Sequence, residues 1–152
     1  PEPLEAFEYD GLGILVLEYL PDFEPLDAVD ETTAGALAPA LFEALSTLHE
    51  RGLAHGDLRA ENVLVTGGEL YFIDATKVRE GAIAEARAYD LACALAALTP
   101  LVGARTAVTA ADEAYSTADL LAAREFLDFV NIRPDHAFDA TLVKGEIEKL
   151  AA

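Results

Sequence analysis

Three oxygen-bearing side chains in one short stretch carry the chemistry this sequence offers. They lie in His55 to Val65, HGDLRAENVLV, and in Glu69 to Asp74, ELYFID. Between these runs stands Thr66-Gly67-Gly68, a glycine turn joining two apolar segments, Val63 to Val65 and Leu70 to Ile73, so the pair reads as a β-hairpin. In an antiparallel hairpin the residue before the first strand and the residue after the second share one end, which places Asn62 beside Asp74. Asp57, five residues before Asn62 on the loop entering the hairpin, reaches the same end. One amide oxygen and two carboxylates suit a magnesium-bound phosphate, because Mg²⁺ favours oxygen and is held by one or two carboxylates plus the phosphates themselves. Taken singly, the same residues also suit an Asx turn at Asp57, a strand start at Asn62 and a turn at Asp74. That account does not explain their convergence.

His55, Asp57, Leu58 and Asn62, with Asp74 further on, fall on the pattern H-x-D-L-x-x-x-N followed by a second Asp. The chain therefore resembles the C-terminal lobe of a protein-kinase-like phosphotransferase: an α+β, mostly helical fold with a catalytic-loop hairpin, preceded by remnant strands of the small lobe. The resemblance implies ATP and Mg as cofactors. It also implies Asp57 as the base that orients an acceptor hydroxyl, Asn62 and Asp74 as metal ligands, and His55 as a brace for the loop. Arg59 either steadies the transferred phosphate or is a surface side chain. Asp90 would accept hydrogen bonds from the loop backbone, or else be a plain helix cap. Gly56 replaces the usual Arg, as in the RIO, aminoglycoside and choline kinase groups, and Ala75-Thr76 stands where Phe-Gly would follow the metal-binding Asp.

Composition bounds the partners. The 152 residues suffice for one domain with its own core, and 53% hydrophobic content excludes a disordered acidic tail. A net charge of -18 disfavours nucleic acid and anionic lipid surfaces as partners. Three Lys against seven Arg, with many Ala, Asp and Glu, suggest a salt-rich cytoplasm, where a short Debye length screens self-repulsion; an acidic protein of a GC-rich genome is the alternative. The longest uncharged run, Leu91 to Ala104, is interrupted by Pro100 and is shorter than the ~18 residues of a membrane span. The lone Cys93 reads as a small core residue in a reducing compartment. A start at Pro1-Glu2-Pro3 without any Met suggests a fragment, whose missing N-terminal segment would be a partner.

Along the chain, Phe7 to Tyr9 and Gly13 to Tyr19 flank Asp10-Gly11, a strong hairpin signal. The second run, GILVLEYL, is almost wholly apolar, as in a strand covered on both faces. In the resemblance it is the last small-lobe strand, with Leu17 as gatekeeper and the backbone of Glu18 and Leu20 facing adenine. Residues 1–20 would thus form a hairpin and hinge, and 21–152 the helical lobe. The glycine-rich loop and its Lys would precede Pro1, since the third glycine of a G-x-G-x-x-G read from Gly11 falls on Val16. Residues 22–33 read as an exposed acidic linker around a short helix.

Ala36 to Arg51 reads as a helix with Leu41, Ala44, Leu45 and Leu48 on one face, Pro39 at its start or at a kink, and Gly52 as its stop. His49 reads as a packed or capping side chain. Gly81 to Leu98 reads as a helix buried from Ala88 onward and stopped by Pro100. The segment from Asp74 to Asp90 holds only fifteen intervening residues and no Ala-Pro-Glu, too short for a regulatory activation loop. Further helices are expected over Ala107–Ala114, Leu120–Val130 and Val143–Leu150, with breaks at Ser116-Thr117 and Arg133-Pro134-Asp135. Asp135-His136 reads as a helix start rather than a metal pair.

The leading functional expectation is an ATP- and Mg-dependent phosphotransferase, acting on a small molecule, lipid or protein in the cytoplasm. A pseudokinase that binds nucleotide or a partner without catalysis is the alternative, and a purely structural acidic domain a third. This stretch alone should bind nucleotide weakly and transfer phosphate poorly.

Overall fold

The computed structural model describes residues 1–75, 83–132 and 137–152. The chain is α+β and mostly helical. Strands β1 (Pro3–Tyr9) and β2 (Leu12–Leu17) pair antiparallel through a two-residue turn at Asp10-Gly11, both with positive φ (50° and 77°), the geometry Asp-Gly favours. The strands differ from expectation at both ends: β1 begins at Pro3, and β2 stops at Leu17 instead of reaching Tyr19. Nor is β2 covered on both faces among the described residues. Only Ile14 is half-buried, and Leu12, Leu15, Val16 and Leu17 face solvent. An apolar run signals a strand that gains from cover; it does not supply the cover, and among the described residues this sheet has two strands.

The segment expected as a linker is anchored instead. Leu26 and Val29 are core residues, Leu26–Ala28 form a 3₁₀ turn, and β3 (Glu24–Pro25) pairs with β4 (Val63–Thr66). Pro25 is compatible there because β3 is an edge strand, where a missing N–H costs little. Acidic neighbours mask these two apolar anchors in the sequence.

Helix α1 spans Glu31–Glu50, five residues longer at its start than the periodicity suggests, because Asp30 caps it. The Asp30 carboxylate accepts from the Thr33 N–H at 3.0 Å and the Thr33 hydroxyl at 2.8 Å. Pro39 lies inside the helix, exposed, where its ring meets solvent and only the bond to the Gly35 carbonyl is forfeited. The buried face is Ala34, Leu37, Ala38, Leu41, Phe42, Leu45 and His49; Ala44, expected on it, is exposed. Gly52 (φ 77°) closes the helix by donating to the His49 carbonyl.

The cap gives a pH prediction. Hydrogen bonds from the Thr33 backbone, then from its hydroxyl, hold the Asp30 carboxyl below its ordinary 3.8. A depressed folded pKa contributes stability that is complete above the ordinary value and lost as pH falls through the folded one. Asp30→Asn retains an acceptor that does not titrate. The stability advantage of wild type over Asp30→Asn in urea unfolding should therefore shrink below about pH 4, and a gap constant across pH would count against the cap.

Helix α2 (Ile83–Val102) is the centre of the helical body, packed by α1, α3 (Ala104–Ala114), α4 (Thr117–Arg124) and α5 (Leu127–Asn131). Every residue from Leu91 to Thr99 is buried, Cys93 among them, as expected from a stretch apolar on all sides. Its expected start at Gly81 lies outside the described residues. Pro100 does not stop it, because a proline near the last turn loses one bond while the helix ends two residues later. The stop is Gly103, whose φ of 81° turns the chain into α3. Nothing lies within 4 Å of a Cβ placed there, so the cost of Gly103→Ala is backbone strain alone, expected at ~1–3 kcal/mol in equilibrium unfolding. No loss would show that the turn relaxes freely.

The expected single helix over Leu120–Val130 is two, α4 and α5. Leu120, Ala123, Leu127 and Val130 are all buried and would suit one unbroken helix, so the pattern does not reveal the break. It arises where the Phe126 N–H takes the Ala123 carbonyl, three residues back. Ser116 and Asp119 form a reciprocal capping box on α4, and Asp139 caps α6 (Ala140–Leu150). The Arg133–Asp135 break, the Asp135-His136 pair and residues 76–82 of the segment expected to be too short for an activation loop lie outside the described residues. Among the described residues, no helix is long and apolar enough to cross a membrane.

Candidate phosphate-transfer loop

The hairpin of β4 and β5 (Glu69–Phe72) turns through Gly67 and Gly68, both at positive φ, in the register Val63 to Phe72. One further bond extends the ladder, from the Ile73 N–H to the Asn62 carbonyl at 3.0 Å. Asn62 and Asp74 are thereby brought to one end of the hairpin. Asn62 is buried, ends the 3₁₀ turn Ala60–Asn62, and donates its side-chain amide to the Asp57 carbonyl at 2.9 Å. Asp74 is exposed at φ 56°, a left-handed conformation that Asp tolerates better than most residues.

Between them runs the loop from His55 to Asn62. Leu58 is fully buried and pins its middle, leaving Asp57 and Arg59 part-exposed on either side. Arg59 reaches Asp57 at 3.4 Å and Glu61 at 2.5 Å, so its guanidinium is engaged with the loop's own carboxylates. His55 is wholly buried. Its Nε2 lies 2.8 Å from the Ile73 carbonyl, and its Nδ1 takes the Asp57 N–H at 3.3 Å. Both contacts are met by a neutral imidazole carrying its proton on Nε2. Histidine thus ties the loop to the end of β5.

Asp90, fully buried on α2, holds the start of the same loop. Its Oδ2 accepts from the His55 N–H at 2.6 Å, and its Oδ1 from the Gly56 N–H at 2.8 Å. Gly56 sits at φ 81°, which explains a glycine at this position in physical terms: a side chain there would be strained. The second partner of Oδ2 is His49 Nε2 at 3.2 Å, and His49 Nδ1 lies 2.8 Å from the Tyr115 hydroxyl. Burial raises the Tyr115 pKa, with Asp90, Asp119 and Glu50 adding to the rise and Arg87 opposing it, so the hydroxyl keeps its proton.

The structure therefore gathers His55, Asp57, Arg59, Asn62 and Asp90 about one loop and sets Asp74 at the neighbouring hairpin end. Leu17, Glu18 and Leu20 belong to a different part of the chain. Leu17 is exposed at the end of β2, the Glu18 N–H donates to the Glu2 carbonyl at 2.8 Å, and Leu20 is buried; β1 and β2 form a sheet separate from β3, β4 and β5. Nothing in the sequence signals Tyr115, an isolated aromatic before a helix cap.

Among the described residues no cluster of three or more His, Cys, Asp or Glu side chains could hold a metal by itself. The donors present still fit magnesium carried on a polyphosphate. Asn62 has its amino group committed to Asp57, which fixes the amide orientation, and Asp74 is an exposed carboxylate at the same hairpin end. Two hard oxygens suffice when phosphates and water complete the octahedron.

No protein-family model matches the chain. A probable bifunctional tRNA threonylcarbamoyladenosine biosynthesis protein of Methanothermobacter thermautotrophicus is 38% identical over 65 residues, 43% of this chain and 11% of that protein. A serine/threonine-protein kinase of Schizosaccharomyces pombe is 34% identical over 68 residues, 41% of this chain and 15% of that protein. The matched stretches thus span a small fraction of either relative. They support a kinase-like relationship at that coarse level, with neither substrate nor nucleotide specified.

Proposed function

We propose that this chain is the C-terminal lobe of an atypical kinase, of the RIO or aminoglycoside-phosphotransferase type, which transfers the γ-phosphate of ATP to a hydroxyl of a small molecule, lipid or protein. The observation that carries the reading is the hairpin end itself: Asn62 and Asp74 brought together by the Ile73–Asn62 bond, with Asp57 tied to Asn62 through its own carbonyl. Magnesium would neutralise phosphate charge and hold the phosphates in line when bound. Asn62 and Asp74 would ligate it. Asp57 would accept the hydrogen bond of the acceptor hydroxyl and take its proton as the hydroxyl oxygen bonds to the γ-phosphorus and the bond to the β,γ-bridging oxygen breaks, releasing ADP. Arg59, already paired with Asp57, would hold that carboxylate in place and lie close enough to steady the transferred phosphate.

Leu17 and the backbone of Glu18 and Leu20 would meet adenine. The apolar side chains left exposed on β1 and β2, among them Leu4, Leu12 and Leu15, support a reading in which further chain of the same protein packs on this hairpin to complete the nucleotide cleft. In this reading the acidic charge disfavours nucleic acid and anionic lipid surfaces as partners, and the lone, buried Cys93 suits a reducing, cytoplasmic location. The second reading, a pseudokinase, is favoured by Ala75-Thr76 after Asp74.

Transfer of labelled γ-phosphate by the full-length protein tests the reading, with Mg²⁺ present and then removed by chelation. Incorporation into an acceptor, or ATP turnover, that stops on chelation is the expected result. Nucleotide binding without turnover would give the pseudokinase reading precedence, and neither binding nor turnover would overturn both.

A further inference from the structure

We propose that Tyr115 is a positioning residue of the phosphate-transfer loop, acting through His49 and Asp90 on the backbone of His55 and Gly56. The inference rests on the function proposed above for its catalytic consequence, and on geometry alone for its structural one. Three buried side chains from three parts of the fold form one chain of hydrogen bonds. Tyr115 lies at the end of α3, His49 in the last turn of α1, and Asp90 within α2. The distances are 2.8 Å from the Tyr115 hydroxyl to His49 Nδ1, 3.2 Å from His49 Nε2 to Asp90, and 2.6 and 2.8 Å from Asp90 to the two loop amides.

The direction of donation is fixed by what each end can do. A carboxylate only accepts, so His49 presents its Nε2–H to Asp90; in a neutral ring Nδ1 is then an acceptor, and the Tyr115 O–H is the donor that meets it. Asp90 and the hydroxyl thus favour the same His49 tautomer from opposite sides of the ring. If Nδ1 lost that donor, the ring could turn or carry its proton on the other nitrogen, and Asp90 would lose one of its three partners. His49 and Asp90 are buried, so a partner lost between them is poorly replaced by water and the loss falls on the network. The edge contact of the two rings, with centroids 5.8 Å apart, holds Tyr115 against His49 without the hydroxyl. Tyr115→Phe consequently removes the bond and keeps the packing. A second tie runs alongside, from the Ser46 hydroxyl to the Ala114 carbonyl at 3.4 Å, so the α1–α3 contact does not depend on Tyr115 alone.

Amide hydrogen exchange in the full-length protein reads the proposal directly. In Tyr115→Phe the His55 and Gly56 amides should exchange about fivefold faster, the factor that one net hydrogen bond represents, relative to amides in the middle of α2 such as Leu95. Equal acceleration of all slow amides, or none, would overturn it and leave Tyr115 a packing residue. Nitrogen-15 shifts of His49 in the wild type give an arm that needs no variant to fold: a proton on Nε2 agrees with the chain of donors, and a proton on Nδ1 sinks it. Where the full-length protein transfers phosphate, Tyr115→Phe should lower kcat and leave the KM for ATP unchanged. An inactive wild type would remove the function proposed above and leave the exchange result standing.

Discussion

Asp57→Asn in the full-length protein is expected to lower kcat for phosphate transfer by about 10²–10⁴-fold, the range over which a positioned proton acceptor acts. The prediction separates chemistry from folding because the Asp57 side chain is part-exposed, its ion pair with Arg59 is a partly solvated one of small weight, and its backbone groups tie the loop together. Its carbonyl accepts from Asn62 and its N–H donates to His55 Nδ1. Asparagine keeps both and the shape, while giving up the negative charge that faces Arg59. The companion change, Asp74→Asn, removes a carboxylate from the hairpin end where magnesium is proposed to bind and leaves the left-handed backbone in place, since Asn accepts positive φ as readily as Asp. Its signature should differ: loss of transfer that rising Mg²⁺ partly restores. Steady-state kinetics at several Mg²⁺ concentrations distinguish the two. Undiminished transfer in both variants would remove the loop from the mechanism, whatever the protein's activity.

Asp90→Asn is expected to cost ~3–5 kcal/mol in equilibrium unfolding, the range for breaking a buried charged network. Three donors converge on this fully buried carboxylate, two backbone N–H groups and a histidine. An amide offers one acceptor oxygen and turns its NH₂ toward at least one of those donors, so a buried N–H loses its partner whichever way it is placed. A loss of that size is a large share of a typical total of ~5–15 kcal/mol. Urea titration followed by circular dichroism measures it. A change within 1 kcal/mol would mean that water or a neighbouring group satisfies the loop, and that Asp90 is a cap of little weight.

Much of this architecture is legible in the amino-acid order alone. The two-residue turns at Asp10-Gly11 and Gly67-Gly68 are readable because positive φ at successive positions selects those residues. The buried length of α2 is readable because no polar side chain interrupts Leu91 to Leu98. Less visible are features whose signal is a single residue. Asp30 as a cap shifts the start of α1, and Gly103 displaces Pro100 as the stop of α2. The break between α4 and α5 leaves no trace, since its apolar positions also suit a continuous helix. Leu26 and Val29 escape notice for a related reason: two apolar residues in an acidic stretch have no period.

The candidate site divides in the same way. Spacing alone determined that Asn62 and Asp74 should meet, because hairpin register is a local property that follows from turn length and strand alternation. It also determined that Asp57 lies within one loop of them. Only the tertiary structure decided that Asp90 binds the amides of His55 and Gly56 across 35 and 34 positions, and that Tyr115 lies behind His49, 66 positions away. Such contacts depend on how α1, α2 and α3 pack, and no short-range pattern encodes that. For the same reason the apolar run of β2 could announce a strand but not what covers it: cover is a property of whatever packs against the strand, and the strand's own residues carry only the demand for it.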